Sequence, residues 1–472
     1  MYDLAIIGAG PAGMAAAEVV AKHGMRAVIV DEQNQVGGQI FRRPPVSFSV
    51  RTWLPQRVYR HLHQLYARFI KLDKLTHLHS TAVLGIGIEE RHFVLHINGS
   101  SGLEKLLASR VLVATGCFDM PLSFPGAQLP GVMATGGMQA FLKSQQIIPG
   151  ERFVFVGSHP LQLIVASQIA KAGGDVAGVF FTPSLSKYLT VLRSPLVLLR
   201  QLPNLFFFLG MLAQLLIKRV PVRFGAELVS ANGDNTLESV VLRSNSNTTS
   251  TKSIPCDRLG ICFGFLTNND LLRQVGVECS WSQTSGGWNA VHDRGMRSSV
   301  PGIYVAGETT SVAGANVAFL EGQVAALSAA YDSGNIDQAA YDKASNAIHP
   351  PLKAARKFAH LLAEVSYPGE ATIQRSMSDD AYLCKCEEIT VGSVRATLAE
   401  HPDVSDLNAL KLLTRCGMGH CQGRYCHYQS RFLLARVRNV TVESMAGFTA
   451  RFPIRPISIG ELLRNIRAED ME

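Results

Sequence analysis

A chain of 472 residues is long enough for about three domains, and its 47% hydrophobic and 17% charged residues exclude a disordered protein. The 45 basic residues exceed the 37 acidic ones by eight, but no lysine-rich tail and no interleaved basic and aromatic pattern occurs, so nucleic acid is not an expected partner. The nine cysteines are an odd number and the first strand follows Met1 without a charged leader, which predicts a protein of the reducing cytoplasm.

The first 32 residues predict a βαβ unit, because the apolar run LAIIGAG precedes the helical segment PAGMAAAEVVAKHG and the strand-like RAVIVDE. Gly8, Gly10 and Gly13 form the pattern GxGxxG between the first strand and the helix. Gly8 permits a tight turn, Gly10 lets the backbone approach a pyrophosphate, and Gly13 lets the helix pack on the strand. The helix N-terminus favours phosphate, and Asp31 at the end of the second strand can accept a ribose hydroxyl. We therefore expect a dinucleotide site here.

Two long windows contain no acidic residue. Residues 33–72 carry seven basic residues, which are Arg42, Arg43, Arg51, Arg57, Arg60, Arg68 and Lys71. Residues 176–226 carry six, which are Lys187, Arg193, Arg200, Lys218, Arg219 and Arg223. The second window includes the apolar run LFFFLGMLAQLLI, which is too short to span a bilayer. Three interpretations remain open, which are a core helix, a helix lying in an anionic membrane surface and a docking face for another protein chain of a complex.

A second βαβ unit is predicted at residues 152–181, but its turn departs from the first. After Gly157 the turn places His159 and Gln162 where the second and third glycines would stand. A side chain at the second position obstructs the approach of a pyrophosphate, and the following strand ends in VFFTP without an acid or arginine for the ribose. We expect this unit to bind nicotinamide nucleotides poorly, with His159 capping the helix rather than acting in catalysis.

Further strands are predicted at 110–116, 256–264 and 302–308. Besides the first glycine turn, the chain contains the segments DEQNQVGGQI, VLVATG and VPGIYVAGETTSVAGANVAFLEGQVAA. In that turn and these segments, the first 330 residues resemble the flavoproteins with two dinucleotide domains, the class of thioredoxin reductase. The resemblance implies FAD bound at Gly8, Gly10, Pro11, Ala12, Gly13, Asp31, Glu32, Gly38, Gln39, Thr115, Gly116, Gly307 and Glu308. The redox-active C-x-x-C of the disulfide reductases is missing from residues 1–383, and Cys117 by itself cannot cycle to an intramolecular disulfide.

Five cysteines crowd into residues 384–426. One residue separates Cys384 from Cys386, 34 intervene before Cys421, and four more precede Cys426. Four thiolates from two short loops suit a [2Fe–2S] cluster, and also zinc. The segment resembles the bacterioferritin-associated-ferredoxin type of [2Fe–2S] domain, most specifically in GMGxCQGxxC, which implies these four ligands and a neighbouring, non-ligating place for Cys416. Iron is favoured because an upstream flavin needs a one-electron partner.

The expected fold is α/β, with two Rossmann-like dinucleotide-binding domains of the pyridine-nucleotide oxidoreductase type plus a small helical [2Fe–2S] domain. Its helices are predicted to begin at the N-caps Thr390 and Ser405. The predicted divisions are 1–150 with 255–345 for the FAD domain, 151–254 for the degenerate nucleotide domain, 346–380 for a linker, 381–440 for the [2Fe–2S] domain and 441–472 for a tail.

Nearly the whole chain, including the tail RFPIRPISIGEL, resembles the FAD-dependent alpha subunits of heteromeric amine dehydrogenases, which are the opine oxidase, hydrogen cyanide synthase and proline or hydroxyproline dehydrogenase complexes. The resemblance implies a partner subunit of the glycine and D-amino-acid oxidase type that oxidises an amine to an imine. It also implies a quinone-like acceptor and a small ferredoxin-like subunit. In some relatives an FMN lies at a subunit interface or the N-terminal site holds another adenine nucleotide. In such an arrangement the basic residues of the window 33–72 bind a flavin phosphate. The alternative is that they form solvated surface.

No general base for amine oxidation is identified in this chain, so the catalytic residues stay unknown and the chain is expected to be incomplete alone. We expect it in the cytoplasm, with a peripheral position at the inner face of the cytoplasmic membrane as an alternative. Two other functions stay open. One is a self-contained NAD(P)H-dependent flavin reductase, and the other is a non-catalytic redox sensor or scaffold.

Overall fold

The computed structural model describes residues 1–44, 60–72, 75–199, 201–244 and 247–463. Arg51, Arg57 and Arg200 of the two basic windows lie outside these residues. The strands of the described chain are β1 (Leu4–Ile7), β2 (Ala27–Val30), β3 (Thr76–Leu78), β4 (Ala82–Glu89), β5 (His92–Gly99), β6 (Gly102–Ala108), β7 (Val111–Val113), β8 (Cys117–Asp119), β9 (Val132–Ala134), β10 (Arg152–Gly157), β11 (Asp175–Phe181), β12 (Val222–Phe224), β13 (Ala226–Asn232), β14 (Ser239–Ser244), β15 (Asn247–Pro255), β16 (Arg258–Cys262), β17 (Phe265–Thr267), β18 (Cys279–Ser282), β19 (Gly287–Ala290), β20 (Ile303–Val305), β21 (Tyr382–Cys384) and β22 (Ile389–Thr390).

The α-helices of the same residues are α1 (Pro11–Lys22), α2 (Arg60–Phe69), α3 (Thr135–Ala140), α4 (Leu161–Ala172), α5 (Leu185–Leu189), α6 (Pro195–Leu199), α7 (Leu202–Ile217), α8 (Asp270–Gln274), α9 (Ala315–Asp332), α10 (Gln338–Ser366), α11 (Glu370–Ser376), α12 (Val391–Glu400), α13 (Leu407–Thr414) and α14 (His427–Arg438). A 3₁₀ turn, Thr190–Arg193, joins α5 to α6. None of these helices is both long and apolar enough to cross a membrane.

The N-terminal sheet has five parallel strands in the order β20, β7, β1, β2, β3. Its strands β1, β2, β7 and β20 are buried along their whole length, because helices α1 and α9 cover one face and the antiparallel sheet β4–β6 covers the other. The carboxyl ends of these four strands therefore meet at one edge, where open parallel sheets bind ligands. The predicted first βαβ unit and the predicted strands at 110–116 and 302–308 are confirmed.

The second sheet also has five parallel strands, in the order β12, β11, β10, β16, β9. The predicted second βαβ unit is confirmed as β10, α4 and β11. The predicted domain limits at 150 and 255 are wrong, because β9 and β16 lie in this sheet although both fall in segments assigned to the FAD domain. The βαβ repeat reveals only the middle of the sheet, since β9 has three residues and carries no period of its own.

The helix of the apolar run, α7, is not a core helix. Of its 16 residues only Leu215 is fully buried, and Phe206 and Ile217 are 68% and 82% exposed. One side of α7 packs on α4, where the Gln214 amide donates a hydrogen bond of 3.1 Å to the Ser167 carbonyl. The core-helix interpretation is therefore wrong, and the membrane-surface and docking interpretations remain.

The segment 346–380, predicted as a linker, is helical and packed. Helix α10 continues through Pro350 and Pro351, although prolines usually end a helix at the preceding residue. Its first half packs on α9, with the rings of Tyr331 and Tyr341 stacked at 5.0 Å, and Leu352 is 2% exposed. This burial stabilises the helix across the two prolines, which the sequence pattern does not show.

The cysteine-rich lobe, residues 382–445, consists of the hairpin β21–β22 and helices α12, α13 and α14. It shares one hydrophobic core with the second sheet, in which Phe432 packs with Leu259 and Leu383. Thr390 caps α12 as predicted, by accepting the Ser393 N–H at 3.1 Å. The predicted cap Ser405 is one residue early, because the Asp406 carboxylate accepts the two first-turn N–H groups of α13.

Candidate functional site

The glycine-rich turn after β1 is shaped by steric demands at two of its three glycines. Gly8 has a φ of +105°, and a Cβ there would lie 2.4 Å from the Ala114 carbonyl oxygen. A Cβ at Gly13 would lie 1.8 Å from the Gly8 carbonyl oxygen, so only glycine lets α1 approach β1. Gly10 differs, since a Cβ there meets only Gly38 Cα at 4.0 Å. Packing within the protein therefore requires glycine less at position 10 than at positions 8 and 13. This is expected if the role of Gly10 is to keep the approach to the turn open for a ligand.

A cavity of about 580 Å³ opens at this turn. Twelve of the thirteen predicted cofactor residues line it, and the other, Gly13, lies under the turn between helix and strand. The N-terminus of α1 faces the cavity with Pro11 at its first position, no capping side chain and no acid in its first turn. An uncapped helix N-terminus with a glycine-lined approach suits the pyrophosphate of a dinucleotide.

The acids at the end of β2 have different partners. The Asp31 carboxylate accepts the N–H of Ala9 and, at 2.7 Å, that of Gln33, so it ties the glycine turn to β2 while lining the cavity. Burial raises the pKa of Asp31. Glu32 forms an ion pair of 2.6 Å with Arg455, which reaches the cavity from the C-terminal tail. The sequence contained no signal for this arginine.

The predicted acid at the end of β20, Glu308, accepts the Cys117 thiol at 2.8 Å and the Gly314 N–H at 3.3 Å. Burial raises the pKa of Glu308, and burial together with the Glu308 carboxylate raises that of Cys117 well above its usual value. Cys117 is therefore a neutral thiol at the cavity wall. A thiol of this kind is a poor nucleophile, in agreement with the lack of a disulfide partner.

A buried acid that sequence reasoning missed, Glu321 of α9, holds the turn that presents Gly307. Its carboxylate accepts the Gly307 N–H and the Thr310 hydroxyl, each at 2.9 Å. Its other oxygen accepts two hydrogen bonds from Arg356 of α10, at 2.7 and 3.0 Å. Glu321 has no exposed side-chain surface and Arg356 is 38% exposed. This pair links α10 to the cofactor edge of the sheet.

Replacing Arg356 with methionine is expected to lower the free energy of unfolding by about 3 kcal/mol, because the Glu321 carboxylate would stay buried without its cation. The measurement is urea denaturation of the holo chain followed by circular dichroism. Arg26→Met is the matched control, since it removes an ion pair with Asp3 whose arginine is 71% exposed, and such pairs contribute less than about 1 kcal/mol. Equal losses in the two variants would contradict a structural role for the buried pair.

Four further cations line the cavity, namely Arg42, Lys143, Arg424 and Arg455. Burial lowers the pKa of Lys143 to about 8, with a further contribution from Arg42. Arg42 belongs to the predicted basic window 33–72, whereas Lys143 and Arg424 had no sequence signal as site residues. The acids Asp31, Glu32 and Glu308 line the same cavity, so the cations outnumber the acids by four to three, and an excess of cations favours an anionic ligand such as a flavin nucleotide.

The second nucleotide turn lies on the same cavity but is filled by its own side chains. His159 Nδ1 accepts the Leu161 N–H at 3.2 Å, and the imidazole packs edge-on against Phe265 with ring centres 5.0 Å apart. Burial lowers the pKa of His159 to about 4, so the ring is neutral and caps α4 where a phosphate would bind. The side chain of Gln162 is fully buried beneath it. The predicted obstruction at these two positions agrees with this geometry.

The structure brings the five late cysteines together in two groups. The thiols of Cys384, Cys416 and Cys426 are buried and lie within 4.8 Å of one another. Cys386 interacts with Cys421, whose pKa is raised by burial and by this neighbour. Cys416, predicted as a neighbour of the ligands, thus lies within 4.8 Å of both Cys384 and Cys426. Its position follows from the left-handed Arg415 that ends α13 and from the Ser430 hydroxyl at 3.5 Å.

The donor set fits iron–sulfur ligation in one respect and a single metal ion in another. The pairs Cys384 with Cys426 and Cys386 with Cys421 match the two thiolates that each iron of a [2Fe–2S] cluster takes. The trio that includes Cys416 matches three corners of a tetrahedral zinc site. Both arrangements use thiolates held on the short loops that precede α12 and α14.

The cysteine-rich lobe adjoins the cavity. Arg424, between Cys421 and Cys426, and Tyr428 of α14 line it. Two further contacts fix the lobe, since the Lys385 ammonium donates to the Ala127 carbonyl and the Gln429 amide to the Pro121 carbonyl, each at 2.6 Å. Arg424 and Tyr428 of the lobe thus border the same space as the two nucleotide turns, and the candidate metal ligands lie in this adjoining lobe.

Comparison with known proteins gives a family match over most of the chain. The family described as Pyridine nucleotide-disulphide oxidoreductase matches residues 2–334. The chain is 31% identical over 459 residues to hydrogen cyanide synthase subunit HcnB of Pseudomonas aeruginosa, covering 96% of each chain. It is 29% identical over 471 residues to one of the subunits of the opine oxidase of Rhizobium meliloti, covering 98% of each.

Among solved structures, the chain is similar to L-proline dehydrogenase from P. horikoshii, with a TM-score of 0.71 and 20% identity over 98% of this chain and 79% of the other. It is also similar to thioredoxin reductase from T. acidophilum, with a TM-score of 0.53 and 20% identity over 70% of this chain and 98% of the other. These likenesses confirm the predicted fold class, α/β with two Rossmann-like domains.

Proposed function

The chain belongs to the pyridine nucleotide-disulphide oxidoreductase family and is an FAD-dependent oxidoreductase, and from this premise we propose that it is the electron-transferring subunit of a heteromeric amine or amino-acid dehydrogenase. In this proposal a partner subunit of the glycine and D-amino-acid oxidase type oxidises an opine, a proline derivative or glycine to an imine. The electrons then leave through this chain to a quinone-like acceptor. Relatives over nearly its full length are subunits of hydrogen cyanide synthase and opine oxidase.

The observation that carries the proposal is that the cysteine-rich lobe forms part of the wall of the cavity at the first glycine turn. The cavity at the first glycine turn is lined by Arg424 and Tyr428 of the cysteine-rich lobe. Bound FAD supplies two-electron acceptance and single-electron release, and a [2Fe–2S] cluster supplies a one-electron outlet. In this proposal the first glycine turn holds the FAD, the adjoining lobe holds the cluster, and cations of the cavity wall face the phosphates.

We propose that Cys384, Cys386, Cys421 and Cys426 ligate the cluster and that Cys416 stays a thiol beside them. The pairwise grouping of the four supports this assignment, and the Ser430 hydroxyl gives the Cys416 thiol a separate partner. A thiol close to a ligating sulfur can donate to it and raise the reduction potential.

We also propose that the complex contains a small ferredoxin-like subunit, that FMN binds where this chain meets its partner, and that the chain functions in the cytoplasm. This proposal assigns Arg42 and Lys143 to the FMN phosphate, because they lie on the cavity wall in segments other than the first glycine turn.

Direct reduction by a nicotinamide nucleotide is not expected. Because His159 caps α4 and fills the second turn, anaerobic addition of NADH or NADPH should leave the flavin absorbance of the purified holo chain unchanged. Dithionite is the positive control and should bleach it. Rapid bleaching by either nucleotide would contradict the proposal and would favour a self-contained flavin reductase.

The experiment that tests the proposed function is co-purification of the chain with the products of its neighbouring genes, followed by a dye-reduction screen over opines, proline derivatives and glycine. We expect amine-dependent dye reduction by the assembled complex and none by the isolated chain. Full turnover by the isolated chain, or a flavin that no amine reduces in the complex, would overturn the division of roles.

A further inference from the structure

The surface formed by α5, α6, α7 and the turn Thr190–Arg193 exposes an unusual number of apolar side chains. Of the 25 large hydrophobic side chains exposed in the described chain, 11 lie between Leu185 and Ile217. We call these exposed apolar side chains of residues 185–217 the leucine face. Leu196 is 77% exposed and Leu192 is 62% exposed. Apolar patches of this extent mark an interaction surface rather than ordinary solvent-exposed side chains.

The charges carried by the chain segment that forms the leucine face have one sign. No acidic residue occurs from 176 to 226, and the basic residues Arg193, Lys218, Arg219 and Arg223 are exposed at the edges of the face. Docking faces for proteins are usually depleted of charge or carry both signs. An apolar segment whose own charged residues are all basic is typical of segments that lie in an anionic lipid surface.

A basic groove adjoins the same surface. It lies between α6 and α10, and it is lined by Ser194 and Val197 on one side and by Arg294, His349, Lys353, Arg356, Lys357 and His360 on the other. The groove also contains one acid, Glu364, whose carboxylate lies 3.4 Å from the His360 ring, and Arg356 is paired with Glu321. Lys353 and Lys357 are exposed. The groove therefore offers cations directly beside the leucine face.

We propose that the leucine face and the basic groove together bind the chain to an anionic phospholipid surface, with the helices lying in the plane of the membrane. The leucine and phenylalanine side chains enter the boundary between headgroups and acyl chains, and the groove takes lipid phosphates. Helix α7 is about 24 Å long at 1.5 Å per residue, which suits an in-plane position.

The two sides of α7 face different surroundings, and this difference bears on the proposed function. Phe206 points outward and is 68% exposed, whereas Phe207 and Phe208 line the main cavity. An apolar acceptor dissolved in the bilayer would thus reach the cavity across a single helix. The membrane proposal itself rests on the surface alone, and vesicle binding is measurable whether or not the electron-transfer proposal holds.

The test is sedimentation of the holo chain with vesicles of phosphatidylglycerol, of phosphatidylcholine, and of an equimolar mixture. We expect strong binding to phosphatidylglycerol, intermediate binding to the mixture and little to phosphatidylcholine. The double variant L196D/F206D should lose at least about tenfold in its partition coefficient. The double variant K353Q/K357Q should lose about fivefold for each charge removed.

Matched controls separate the surface from general effects of substitution. Leu412→Asp replaces a leucine that is 75% exposed on α13, and Lys343→Gln removes an exposed charge from α10 outside the groove. Both should bind vesicles as the unchanged chain does, and all variants should retain their flavin. The proposal is overturned if no vesicle binds the chain, if the controls lose as much as the test variants, or if L196D/F206D abolishes binding of a partner protein while vesicle binding is unchanged.

Discussion

Replacing Gly10 with valine is expected to yield a folded protein that is isolated without FAD. A Cβ at this position meets no atom closer than 4.0 Å within the protein, so the turn tolerates it, but the added methyl groups occupy the approach to the N-terminus of α1. We expect the affinity for FAD to fall at least about a hundredfold, or ~2.7 kcal/mol. Flavin content after purification and FAD titration of the apoprotein measure the effect.

Two other glycine substitutions act as controls for Gly10→Val. Gly137→Ala places a Cβ on α3 with nothing within 4 Å and should leave flavin content unchanged. Gly13→Ala would force a contact of 1.8 Å with the Gly8 carbonyl oxygen, so it should lower both flavin content and thermal stability. A Gly10→Val chain that retains its full flavin content would contradict the assignment of this turn to the pyrophosphate.

Single serine substitutions of the five late cysteines are expected to separate ligands from a neighbour. Cys384→Ser, Cys386→Ser, Cys421→Ser and Cys426→Ser should each reduce iron from about two atoms per chain to a small fraction of that, because a [2Fe–2S] cluster requires all four thiolates. Cys416→Ser should keep the iron, and Cys416→Ala should keep it while lowering the reduction potential, because alanine removes a donor beside the Cys384 sulfur. Iron analysis and a redox titration of each purified variant measure these outcomes.

The opposite pattern has a definite meaning. If Cys416→Ser loses its metal while Cys386→Ser and Cys421→Ser keep theirs, the buried trio holds a single ion and the [2Fe–2S] assignment is wrong. Cys279→Ser is the control, because this cysteine lies in the hairpin β18–β19, outside the late group, and should change neither iron nor flavin content.

The first nucleotide turn was predictable because its chemistry is local. The strand, the three glycines and the helix follow one another without interruption, and steric contacts at Gly8 and Gly13 require glycine in the way the pattern indicates. The obstruction at His159 was predictable for the same reason. In each case the residues that form the site are neighbours along the chain.

Contacts between distant segments were not predictable from the pattern. Glu321 and Arg356 have no motif, yet they hold the turn at Gly307, and Arg455 arrives from the tail to pair with Glu32. The second sheet includes β16, which pairs with β10, and β9, which pairs with β16. The sequence did not predict these pairings, since tertiary packing decides which strands pair.

The cysteine spacing indicated which residues meet, but it did not indicate how they group. Cys416 was set apart because the family pattern uses the other four, and the end of α13 nevertheless turns its thiol toward Cys384 and Cys426. The sequence did not predict the exposed side of α7 either, because a run of apolar residues has the same composition in a core and at a membrane surface.

The central proposal is that one chain holds a flavin in the cavity at the first glycine turn and an iron–sulfur cluster in the adjoining cysteine-rich lobe. Anaerobic titration of the full chain with dithionite, followed by absorbance and electron paramagnetic resonance, tests it most directly. We expect about three electrons to be taken up per chain, two with bleaching of the flavin and one with the appearance of a paramagnetic iron signal. Uptake of about two electrons, with zinc in place of iron and no paramagnetic iron signal, would contradict the claim.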